Sequence, residues 1–178
     1  MPDRHDYGGG VGEEAMTELT MRPMQSQADA DAFRTLNEAW ITKLFRLEEK
    51  DRTTLNDPHT TILATGGQVY VAEMDGRIVG TAAWVRYAEG IYELSKMAVD
   101  STVRGQGIGR KLLLYMIDQA RSLGAHTVFL GSSKKLQNAV HLYEAVGFHH
   151  VPPSELPEMK YDRADVFMKM EMVPPSGV

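Results

Sequence analysis

A strand-like stretch, Met97-Ala98-Val99-Asp100, runs into Arg104-Gly105-Gln106-Gly107-Ile108-Gly109-Arg110, and an apolar–polar pattern opens at Lys111-Leu112-Leu113-Leu114. The succession reads as a β-strand, a tight glycine-rich turn and the first turn of an amphipathic helix. Glycine removes the Cβ where main-chain N–H groups must approach a ligand closely, and a helix start adds its positive dipole end at the same place. Such a turn is expected to bind an anion, above all a phosphate.

Spacing excludes two nucleotide-binding devices. Gly105, Gly107 and Gly109 run Gly-x-Gly-x-Gly, whereas a dinucleotide turn needs Gly-x-Gly-x-x-Gly and an acidic residue about 20 positions on. The phosphate loop of NTPases needs Gly-Lys-Ser/Thr, and here Gly109 is followed by Arg110 and Lys111 with no hydroxyl.

The spacing that fits is Arg/Gln-x-x-Gly-x-Gly/Ala, met by Arg104, Gly107 and Gly109. Here the chain resembles the GCN5-related N-acetyltransferases, which use this turn to hold the diphosphate of acetyl-coenzyme A. Upstream, Tyr92 to Val99 is similar to the central strand of that family. Downstream, Ala139 to Phe148 resembles its helix ending in Tyr-x-x-x-Gly-Phe, with Tyr143, Gly147 and Phe148 at the matching places. The three motifs stand in the family's order.

A length of 178 residues suits one domain with a proper core. The formal net charge of −5 argues against nucleic acid or an anionic membrane as partner. The absence of cysteine excludes disulfides, thiolate metal sites and a cysteine nucleophile. The six histidines form no metal-binding pattern, so no metal is expected. Met1 to Asp6 lacks the apolar region of a secretion signal, and a cytoplasmic location is expected.

Residues 1–18 and 173–178 read as tails around a domain at 19–172, the first of them polar, glycine-bearing and expected to be disordered. Leu19 to Met24 reads as an edge strand because of Pro23, and Phe33, Leu36, Trp40, Leu44 and Leu47 as one helix stripe. Residues 48–67 read as a loop or one short helix. Val69–Met74 and Arg77–Arg86 form a hairpin about Asp75-Gly76. A strand follows at Ile91–Val99, then a helix capped by Gly124, a strand from Thr127, a helix stopped by Gly147, and two last strands. The fold class is α/β: a mixed, mostly antiparallel sheet of about six to seven strands flanked by helices, in the order β-α-(α)-β-β-β-α-β-α-β-β.

Moving an acetyl group to an amine requires a base, because an ammonium of pKa about 10.4 is no nucleophile at neutral pH. It also requires donors for charge growing on the thioester oxygen and a proton for the departing sulfur. The resemblance implies an acetyl-CoA site formed by Met97, Ala98 and Val99 main chain with Arg104, Gly105, Gln106, Gly107, Ile108, Gly109 and Arg110. It implies Tyr143 as proton donor to sulfur, although Val140, Tyr143 and Val146 also form an ordinary apolar stripe. It implies Glu93 as base; the other reading of Glu93 is a solvent-facing residue at the strand's start, partnered by Lys96 or by nothing. The family often places an asparagine seven residues before the tyrosine. Leu136 stands there, which leaves Asn138 as either a displaced cofactor contact or a help to the helix start. Lys134 and Lys135 offer charge to cofactor phosphates or are simply solvated.

The expected reaction is direct attack by a bound amine on acetyl-CoA in a ternary complex. The alternative is a non-catalytic acyl-CoA-binding sensor or scaffold. The acceptor, a small amine, an amino acid or a protein lysine, is expected to meet segments 48–67 and 152–164, where Arg163 offers a carboxylate partner. The resemblance leaves a homodimer open.

Overall fold

The computed structural model describes residues 18–158 and 161–172, so both expected tails lie outside the described residues except for residue 18. Among the described residues seven strands form one sheet in the spatial order β1-β2-β3-β4-β5-β7-β6. They are β1 (Leu19–Pro23), β2 (Gln68–Met74), β3 (Arg77–Ala88), β4 (Ile91–Val99), β5 (Thr127–Ser132), β6 (His149–His150) and β7 (Val166–Glu171). Within the same described residues they are accompanied by the α-helices α1 (Gln27–Leu44), α2 (Glu49–Asn56), α3 (Ile108–Ser122) and α4 (Gln137–Val146). β4 and β5 are parallel, joined through α3, and every other pairing is antiparallel.

Local chemistry explains the turns. Asp75 and Gly76 have φ of 54° and 73°, the pair of left-handed residues that a two-residue hairpin between twisted strands demands. Pro23 ends β1 on the sheet edge, where its missing N–H breaks no interior ladder.

Two cores fill the two faces of the sheet. On one, α3 buries Ile108, Leu112, Leu113, Met116 and Ala120 against Trp84, Val79 and Leu94. The indole of Trp84 is fully buried, and its Nε1 donates to the Met116 carbonyl at 2.7 Å. On the other, Phe33, Ile41, Leu55, Ile62, Val69 and Ala83 pack together.

The helix at α1 forms but ends at Leu44, before the expected Leu47, and its buried stripe is turned. Ala30, Phe33, Asn37 and Ile41 face the core, while Trp40 and Leu44 face a cleft. The expected apolar stripe skipped Asn37 because it is polar. Its burial is tolerated because the amide donates to the carbonyls of Phe33 and Lys96 and accepts from the Trp40 indole. Residues 48–67 hold more order than one short helix: α2 is followed by a π-helical turn at His59–Leu63.

Candidate active site

The sheet opens at its centre. β4 and β5 pair only from Ile91 to Glu93 against Thr127 to Phe129, yet both strands run on, to Val99 and Ser132. Past Glu93 the β5-facing edge of β4 therefore has no strand partner among the described residues. A cleft of about 660 Å³ occupies the gap, lined by both strands, the turn before α3, the start of α4, and Tyr161 and Arg163.

A bulge re-aims β4 beside this opening. Ser95 and Ala98, three residues apart, pair with Ala83 and Thr81, two residues apart, so β4 carries one extra residue. Lys96 sits in the left-handed region at φ 54°. A non-glycine residue held there costs about 1–3 kcal/mol and persists only where its surroundings enforce it. Met97, Ala98 and Val99 follow and line the cleft.

The glycine turn lies at one end of the cleft. Gly105 and Gly107 take φ of 83° and 72°, and Gly107 caps α3. Among the described residues, the first main-chain N–H after Val103 to find a protein acceptor is that of Lys111, bonded to the Gly107 carbonyl. Residues 104–110 thus present unclaimed donors, and a Cβ built on Gly105 or Gly107 meets nothing within 4 Å. This open cradle of N–H groups at a helix start fits a diphosphate.

The other expected anion contacts divide. Arg104, Gly105, Gly107, Ile108 and Gly109 line the cleft, whereas Gln106 and Arg110 are exposed beside it. Ile108 offers main chain only, because its side chain is buried under the sheet. Asn138 lines the cleft from α4. It is not the cap of that helix, which is Leu136, a residue with no side-chain acceptor. Lys134 is exposed, while Lys135 lines the cleft with its ammonium 5.1 Å from the Phe45 ring centre.

Tyr143 and Glu93 both reach the cleft. The Tyr143 ring packs edge-on against Phe148 at 6.0 Å, and burial pushes its phenol up to about 12, so it is a protonated donor at neutral pH. Glu93 is raised by desolvation, with Lys50 and Lys96 pulling the other way. The pairing with Lys96 that the alternative reading of Glu93 allowed is not formed, because Lys96 is taken by another partner.

That partner belongs to a cluster no motif announced. Asp51, fully buried on α2, accepts from Lys96 Nζ at 2.6 Å and from both terminal nitrogens of Arg163 at 2.8 and 2.7 Å. Arg163 also donates to Glu48 at 3.0 Å, and the Tyr161 hydroxyl accepts from Lys96 Nζ at 3.1 Å while its ring lies under both cations. Burial opposes ionisation of Asp51, but hydrogen bonds from Arg163 and Lys96 outweigh it and hold the carboxyl well below its usual range. Lys96 is lowered, since its burial exceeds what one carboxylate returns. The two directions agree once the carboxylate is seen to serve two cations. Arg163 is accordingly spent on Asp51 and Glu48, and the expectation that it anchors a substrate carboxylate is not supported. Asp51 and Asn37 were missed because each acts on residues far along the chain.

Among the described residues no group of three or more His, Asp or Glu side chains is placed to hold a metal ion, and no helix is long and apolar enough to cross a membrane.

The family profile described as "Acetyltransferase (GNAT) family" matches residues 14–148. An uncharacterized N-acetyltransferase of Escherichia coli, YjgM, is 35% identical over 89 residues, which cover 48% of this chain and 53% of that protein. The L-amino acid N-acyltransferase MnaT of the same organism is 30% identical over 100 residues, covering 53% of this chain and 56% of that one. The chain thus spans about half the length of these two relatives. A GNAT-family acetyltransferase structure from Staphylococcus aureus superposes with a TM-score of 0.78 at 23% identity, covering 86% of this chain and 99% of that one. The structure of yncA from Salmonella typhimurium with its cofactor acetyl-CoA gives 0.65 at 21% identity, covering 89% and 99%. By the extent of the profile match and the shared fold, this chain belongs to the GNAT family of acetyltransferases.

Proposed function

We propose that the protein is an N-acetyltransferase that moves the acetyl group of acetyl-CoA directly to a primary amine held in the same cleft. The observation that carries this reading is the run of unclaimed N–H donors at residues 104–110, opening into the gap where β4 leaves β5. The fold relative determined with acetyl-CoA supports the choice of acyl carrier.

Acetyl-CoA, when bound, supplies an activated acetyl group. The turn at 104–110 holds its diphosphate, and the unpaired edge of β4 around Met97 to Val99 offers main-chain donors to the thioester oxygen. Glu93, directly or through water, accepts the ammonium proton and frees the lone pair that forms the amide bond. Tyr143 gives its phenolic proton to the sulfur as the carbon–sulfur bond breaks. The second nitrogen proton, lost as the amide forms, restores the Tyr143 hydroxyl through solvent. With both reactants in one cleft, proximity supplies much of the rate.

The first test is thiol release from acetyl-CoA against a panel of small amines, amino acids and lysine peptides. The amino acids belong there because one relative is named for them. Binding of acetyl-CoA with no release for any acceptor overturns the enzyme reading in favour of a sensor. Tyr143→Phe is expected to lower kcat about 100-fold, a usual share for general acid catalysis, with CoA affinity and melting temperature unchanged. Full turnover by this variant removes Tyr143 from the reaction.

Glu93 sets the pH dependence. It works as a base only when ionised, and its pKa lies above the ordinary 4.5 because of desolvation. kcat/KM is therefore expected to rise with pH along an acid limb placed above the usual carboxylate range. Glu93→Gln should lower the plateau about 100-fold and remove that limb. A limb that survives the substitution belongs to another group.

A further inference from the structure

We propose that Asn37 and Asp51 are positioning residues for the transfer: together they hold Lys96 in the left-handed conformation that makes the β4 bulge, and so aim the Met97–Val99 main chain into the cleft. The proposal rests on the acetyltransferase reading above and adds the device that sets the geometry of its oxygen-stabilising strand.

Bulges of this kind favour glycine at the left-handed position. Here the position is a lysine, so the conformation needs enforcement from outside the strand. Asn37 Nδ2 donates to the Lys96 carbonyl at 3.0 Å from α1, fixing the peptide that leads into Met97. Asp51 takes Lys96 Nζ at 2.6 Å from α2, fixing the side chain. Both clamps are fully buried, and Lys96 is only 6% exposed, so water cannot replace either contact. Asn37 is itself oriented by its second donor bond, to the Phe33 carbonyl, and by the Trp40 indole that donates to its Oδ1. Arg163, bonded to both oxygens of Asp51, keeps the carboxylate in place when Lys96 pulls on it. The β3 register shows the consequence: the extra residue falls between Ser95 and Ala98, just where β4 has parted from β5.

The test uses the full chain with acetyl-CoA and the best amine of the panel. Asn37→Leu, similar in size and without a donor, is expected to lower kcat at least 30-fold while CoA affinity by calorimetry stays within threefold. The double variant Asn37→Leu/Lys96→Gly supplies a residue that enters the left-handed region unaided. It is expected to recover at least tenfold of the lost kcat although its melting temperature is lower still. Activity and stability moving in opposite directions is a signature that a purely structural role does not give. Unchanged kcat in Asn37→Leu, or a double variant no faster than the single one, overturns the proposal. Amide NMR gives a readout that needs no turnover: exchanging CoA for acetyl-CoA should shift the Met97, Ala98 and Val99 resonances in the wild type and not in Asn37→Leu. Equal shifts in both overturn the positioning role. A protein that ignores CoA altogether fails the functional reading instead.

Discussion

Gly107→Asp is expected to weaken CoA binding at least 100-fold while leaving the protein folded. Gly107 caps α3 at φ 72°, and aspartate is among the residues that enter this region most readily, at a cost of about 1–2 kcal/mol. A carboxylate at a helix start returns about 0.3–1 kcal/mol of that through the dipole, so the net change in stability is small. Binding suffers far more. The space around a Cβ at Gly107 is open, and the new carboxylate enters it, accepting from the N–H groups of the first turn and repelling a diphosphate. A 100-fold loss corresponds to about 2.7 kcal/mol, well within the reach of a misplaced charge beside an anion site. Gly109→Ala is the matched control. Its Cβ would meet Leu142 Cδ2 at 3.7 Å and Val99 Cγ2 at 3.9 Å, ordinary contacts inside a helix, and CoA affinity should stay within threefold. Calorimetry with CoA and a thermal melt decide the matter. An aspartate variant that binds CoA like the wild type shows that the diphosphate lies elsewhere.

Asp51→Asn is expected to lower the melting temperature by about 10 °C. Asparagine keeps the shape but removes the charge that Lys96 and Arg163 share inside the protein, and breaking a buried pair costs about 3–5 kcal/mol. For a domain of this length each kcal/mol is worth about 2–4 °C. The pH dependence follows from the sign of the shift. The folded pKa of Asp51 lies below its ordinary 3.8, so the unfolded chain takes up this proton first as acid is added. The contribution is fully present above pH 3.8 and is lost as pH falls through the folded value. Lys96 shifts stability in the same pH direction, but as a penalty rather than a gain. Its folded pKa lies below 10.5, burial being the cause, so its penalty on folding fades as pH climbs from the folded value toward 10.5. Wild-type stability should therefore fall in acid below about pH 4, and Asp51→Asn should flatten that fall. Melting curves between acid and neutral pH check this, and parallel curves for the two proteins would sink it.

Much of the frame could be read directly from the residues. Asp75-Gly76, Gly124 and Gly147 mark ends of elements because each takes a positive φ that few other residues accept. The period of Ile108, Leu112, Leu113 and Met116 marked the helix that covers the sheet. The stripe of α1 misled because periodicity counts apolar residues, and Asn37 occupies a core position through three hydrogen bonds that lie outside that count. Lys96 gave no sign either, since nothing in a lysine announces φ of 54°.

Local sequence alone determined where the anion cradle lies, because its geometry depends on glycines and a helix start within seven residues. Tertiary structure alone decided what surrounds it. The β4 bulge is clamped by α1 and α2 through contacts between residues 45, 59 and 112 positions apart, and β4 and β5, separated in the chain by α3, part after Glu93 and Phe129. Pairings at such separation depend on how packed layers meet, and no local pattern of residue types encodes them.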